Sequence, residues 1–130
     1  MAESPFGTFN AREPHALFSG VGLHGIAGDQ VFLGRVIYAP GTTVPRHRHE
    51  ASEQLMLVLE GSLAMTIGDE TRELARGDVC VINRGVEHAV FSASGVTFIE
   101  ALSPVPLDHV PDRDRDLVLG DLKGALHVER

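Results

Sequence analysis

The chain has no tryptophan, one tyrosine and one cysteine among its 130 residues. With Cys80 as the only thiol, no internal disulfide framework exists, and a reducing, cytoplasmic compartment is the natural expectation. Cys80 sits between Val79 and Val81 and reads as a small core residue, not a ligand. The net charge of −7, from 11 Lys+Arg against 18 Asp+Glu, disfavours attraction to a phosphate backbone. The few aromatic residues also leave little material for stacking bases, so nucleic acid is not an expected partner. Long apolar runs are missing too: none approaches the roughly 20 residues of a membrane span. The start of the chain lacks the basic and apolar regions of a secretory signal, so no membrane association is expected. Helical periodicity is equally scarce, since no window beyond about eleven residues places apolar side chains at i, i+3, i+4 and i+7.

What the chain does contain is a succession of short apolar segments punctuated by 14 Gly and 7 Pro. Candidate strands lie at 15–18, 21–26, 31–38, 63–67, 71–75, 79–82, 87–92 and 95–102, with 79–82 read as a buried strand. Gly61-Ser62 reads as a turn, and Gly68-Asp69 as a two-residue hairpin turn in which glycine accepts a positive φ. Turns every eight to ten residues predict an all-β antiparallel sandwich or barrel. The length suits one domain that buries about two thirds of its unfolded surface. Residues 112–116 alternate in charge and read as a solvated loop, whereas 117–119 and 125–128 are apolar enough to pack on the barrel or on a partner subunit.

The stretch 41–61, GTTVPRHRHEASEQLMLVLEG, organises the rest. Side chains at i and i+2 share one face of a strand, so His47 and His49 point together while Arg46 and Arg48 point away. A third imidazole, His88, lies in the segment 77–92, GDVCVINRGVEHAVFS. Three histidines with Gln54 or Glu53 form a ligand set for a borderline divalent metal. His15, His24, His109 and His127 have no such fixed offsets and read as surface or packing residues.

These spacings resemble the two motifs of the cupins. In the first, glycine, five residues, His-x-His, four residues, Gln, six residues and glycine correspond to Gly41, His47, His49, Gln54 and Gly61. In the second, Gly77, Gly85 and His88 fit, while Asn83 stands where proline is usual and Ser92 where asparagine is usual. Fifteen residues separate Gly61 from Gly77, the short spacing of compact single-domain microbial members. The resemblance implies a double-stranded β-helix, or jelly roll, as a single domain over 1–130 with its core barrel at about 30–103. It also implies a divalent transition metal (iron, manganese, nickel, zinc or copper), a small-molecule ligand and a homodimer.

The fourth ligand is read in two ways. Counting forward from His49 favours Glu53; counting back from Gly61 favours Gln54. Strand register is more rigid than loop length, which favours Gln54 and keeps Glu53 as its alternative. On that register Gln54, Met56 and Val58 face inward. Leu55, Leu57 and Leu59 face outward and call for a covering layer or a second subunit. Glu100 shares a strand face with Phe98 and Leu102, where a general base would stand or a salt bridge at an interface would form, and Arg35 between Leu33 and Ile37 is either a clamp for a substrate carboxylate or an outward arginine covering apolar surface with its stem. The expected function is a metal-dependent enzyme (dioxygenase, decarboxylase, lyase or isomerase) acting on a small carboxylated or sugar-derived molecule. The alternative is a non-catalytic metal-dependent binding module.

Overall fold

Period-two burial builds this molecule strand by strand. In β3 (Phe32–Tyr38), Phe32, Val36 and Tyr38 are buried, whereas Leu33 and Ile37 are exposed. The structure, a computed structural model, describes residues 5–10, 13–106 and the backbone of 117–119. Its elements are β1 (His15–Phe18), β2 (Val21–Ala27), β3, β4 (Thr42–His49), β5 (Glu53–Ile67), β6 (Glu70–Ala75), β7 (Val79–Ile82), β8 (His88–Ser92), β9 (Val96–Ser103) and β10 (Leu117–Leu119). No helix occurs among the described residues. All pairings are antiparallel, in the order β1-β2-β3-β9-β5-β8-β4-β10, with β6 and β7 also on β5. The result is a jelly roll.

One strand joins its two sheets. The first half of β5 pairs with β7 and β9, the second half with β6 and β8. The turn expected at Gly61-Ser62 is therefore a bend inside a continuous strand. Gly61 carries φ +74°, and a Cβ there would meet Gly95 O at 2.2 Å. Only glycine allows the backbones this close. A register shift between Val58 and Glu60 accompanies the bend, and inward positions change from Met56 and Val58 to Leu63 and Met65. Ser92, at a position where the sequence departs from the motif, locks the bend from β8: its hydroxyl donates to Ser62 O at 2.7 Å and accepts from Gly95 N at 3.0 Å.

The inner faces meet in one core that includes Val36, Tyr38, Val58, Leu63, Phe98 and Leu102. Tyr38 and Phe98 pack edge to face with centroids 5.3 Å apart. Each fully buried apolar side chain here contributes about 1.5–3 kcal/mol. The hairpin at Gly68-Asp69 forms as read, with Ile67 opposite Glu70 and Gly68 at φ +62°. The strand at 79–82 is buried on one face only: Ile82 is covered, but Val79 is 68% and Val81 55% exposed. Cys80 packs against the core, and burial pushes its thiol pKa up. The backbone of β10 runs beside β4, with Leu117 opposite His49 and Leu119 opposite His47. The readings of 112–116, 125–128, His109 and His127 fall outside the described residues.

Candidate metal centre

The site begins with a fault in β4. Val44 pairs with Val90 and His47 with His88, so three steps on β4 oppose two on β8. This bulge changes the phase of the strand: Thr42 and Val44 face inward before it, His47 and His49 after it. Pro45 lies within the bulge, where a residue without an N–H is tolerated. Arg46 and Arg48 turn to the other side. Arg46 donates to Glu87 Oε1 at 2.8 Å and to Gly68 O at 2.7 Å, and Arg48 pairs with Glu50 and Glu87. These bonds hold the Glu87 carboxyl below its usual range, the Arg46 hydrogen bond foremost.

The second segment is tied to the first by its turn. Gly85, at φ +76°, donates its N–H to His49 O at 2.8 Å and so delivers His88 opposite His47. Ring centroids lie 4.1 Å apart for His47–His88, 5.5 Å for His47–His49 and 5.5 Å for His49–His88. One nitrogen from each of these buried rings falls within 4.8 Å of the other two.

Two of the rings are oriented by the backbone. His47 Nδ1 donates to Pro45 O at 2.8 Å and His88 Nδ1 to Val86 O at 3.1 Å. A proton fixed on Nδ1 leaves Nε2 with its lone pair, the tautomer in which a histidine ligates a metal. Burial, and then the neighbouring His47, push the His88 pKa from 6.5 down to about 3. His88 is therefore neutral near pH 7, as a ligand must be.

The alternation of β5 puts Gln54 in the same pocket and Glu53 on the exposed face. Gln54 Nε2 donates to Glu100 Oε1 at 2.9 Å, while Gln54 Oε1 is buried with no hydrogen-bond partner among the described residues. An orphaned carbonyl oxygen beside three imidazoles fits a cation. Glu100 is itself buried and is the one carboxylate among the described residues lining the pocket. Arg35 is not brought there. The inward positions of β3 belong to Phe32, Val36 and Tyr38, so Arg35 lies on the outer face, 5.6 Å from the Phe9 ring and bonded to Asn10 Oδ1 at 3.3 Å. His24 is buried on the same outer side, stacked on Phe9.

The family described as Cupin domain matches residues 34–101, just over half of the sequence. The chain belongs to the cupins. It is 33% identical over 85 residues to the tetracenomycin polyketide synthase protein TcmJ of Streptomyces glaucescens, an alignment covering 61% of this cupin and 57% of that protein. It is 32% identical over 71 residues to the putative germin-like protein 9-2 of Oryza sativa subsp. japonica, covering 51% and 33%. The cupin thus spans little more than half the length of one relative and a third of the other. Among solved structures, KdgF from Halomonas sp. superposes with a TM-score of 0.77 at 20% identity, over 83% of this chain and all of that one.

Three residues in this cupin's pocket or next to its lining escape a reading by motif. Tyr38 lines it beside Glu100, and burial, then that carboxylate, raise its phenol pKa. Gly34 pairs with Glu100, and a Cβ at Gly34 would lie 3.3 Å from Glu100 Cγ. A glycine inside a strand of branched residues was the available signal. Pro45 supplies the carbonyl that orients His47, and nothing in the local sequence announces the bulge that frees it.

Proposed function

We propose that this cupin is a divalent-metal-dependent enzyme acting on a small carboxylated or sugar-derived molecule, in the range of dioxygenases, decarboxylases, lyases and isomerases. The observation that carries the reading is the pair of Nδ1–H bonds from His47 and His88 to backbone carbonyls, which leaves both Nε2 atoms basic beside His49 and the orphaned Gln54 oxygen. In this reading His47, His49 and His88 hold the ion with Gln54, and Glu53 is not a ligand. The bound ion supplies a Lewis acid that polarises a carboxylate or hydroxyl of the substrate. Because every ligand in the set is neutral, the ion keeps its full charge and its pull on an anion. Glu100 serves as the group that takes up or returns a proton near the bound molecule.

The second reading, a binding module without turnover, is favoured by the apolar wall formed by Val36, Met56 and Phe98. In either case the functional unit is a homodimer in the cytoplasm, built from one domain over 1–130. The dimer is supported by the outer face of β5, β7 and β9. There Leu55 pairs with Val81 and Leu57 with Val79 and Ile99, and all four residues of the first two pairs are exposed.

The test is elemental analysis of protein purified without a metal-affinity tag. Wild type and Glu53→Ala are expected to carry close to one metal ion per chain, and His47→Ala only background. Full stoichiometry in His47→Ala would defeat the site. Turnover with iron(II), across keto acids, catechols, thiols and phenolic polyketides, then separates the enzyme from the binder.

A further inference from the structure

We propose that Glu100 is a positioning residue for the metal centre: its carboxylate holds the Gln54 amide nitrogen, so that Gln54 presents Oε1 to a cation shared with the three histidines. This role is additional to proton transfer, and it rests on the metal-binding reading above. The Gln54 amide nitrogen donates to Glu100 Oε1 at 2.9 Å. The two ends of a glutamine amide are linked, and fixing one assigns the other. Oε1 is thereby left buried without a partner among the described residues, a state that folded proteins rarely keep unless a ligand completes it.

The arrangement is built into the strands. Gln54 pairs with Leu102 and Met56 with Glu100, which makes Gln54 and Glu100 diagonal neighbours on the inner face of β5 and β9. Both are buried. Across from Glu100, Gly34 leaves the room its side chain occupies. Without the carboxylate the amide is free to rotate and aim its N–H2 at the ion, which repels it.

Cobalt(II) binding by chelator competition tests this on wild type, Gln54→Ala, Glu100→Gln and the double variant, with visible cobalt bands recorded for each. Glu100→Gln is expected to weaken binding about 10- to 100-fold and to shift the bands. In the Gln54→Ala background the same change is expected to cost nothing further, because its route to the metal is gone. Losses that add in the double variant, or unchanged affinity in a Glu100→Gln protein whose melting temperature alone falls, would overturn the positioning role. Wild type that binds no cobalt, or His47→Ala that binds it fully, would instead overturn the metal reading itself.

Discussion

Lowering the pH from about 6.5 to about 5 should destabilise the metal-free protein, and His88 sets the size of the effect. Its pKa is pushed from 6.5 to about 3 by burial first and by His47 second. Below 6.5 the unfolded chain takes up a proton that the folded chain refuses, so stability falls as pH falls. At about 1.4 kcal/mol per pH unit, the loss is about 2 kcal/mol by pH 5 and levels off near pH 3 at about 5 kcal/mol. Glu87, the carboxylate held low by Arg46, withdraws its contribution only below its ordinary value of 4.5, as pH falls through its lower folded pKa.

Urea unfolding in the presence of a chelator, at half-unit steps from pH 7 to pH 5, measures the slope. His88→Gln removes the titrating ring and should flatten the curve over this window by about 2 kcal/mol. Stability that is flat or rises from pH 6.5 to 5 would refute the reasoning.

Two further outcomes are expected. Gly61→Ala should cost about 3 kcal/mol or more in urea unfolding, since the new Cβ meets Gly95 O at 2.2 Å and φ is +74°; a loss below about 1 kcal/mol would show that the bend relaxes. Leu57→Lys, on the outer face of β5, should convert a dimer into a monomer by analytical ultracentrifugation while metal content stays unchanged. A wild type that is monomeric at every concentration would leave that face to some other cover.

How far the sequence could be read depended on whether the two faces of a strand differ. In β5 they do near the site: Gln54, Met56 and Val58 lie inward and Leu55, Leu57 and Leu59 outward, the parity expected from counting back through a rigid strand. The shared direction of His47 and His49 follows from spacing alone. The bulge at Pro45 does not, because it is defined by pairing with β8, and counting back by twos from His47 would have turned Thr43 inward in place of Val44. The Gly61 bend was similarly opaque. A glycine after an apolar run reads locally as a turn, and the carbonyl that demands it belongs to Gly95, 34 residues further along. The bond between Gln54 and Glu100 spans 46 residues, so Glu100 was legible as an inward carboxylate but not its partner.

Arg35 marks where parity itself was undetermined. It lies between Leu33 and Ile37, an apolar pair that suggests an inward face, yet the alternate set Phe32, Val36 and Tyr38 is apolar as well and is the one buried. The same doubling occurs in β7, where Val79 and Val81 are exposed opposite Cys80 and Ile82, and in β9, where Ile99 lies on the face away from Phe98. A half-solvated antiparallel sheet alternates apolar and polar residues, whereas a sheet covered on both sides reads as continuous apolar runs. These strands carry the second pattern while one of their faces is open in the single chain. The ambiguity at Arg35 and the case for a second subunit over Leu55, Leu57, Val79 and Val81 thus have one physical origin.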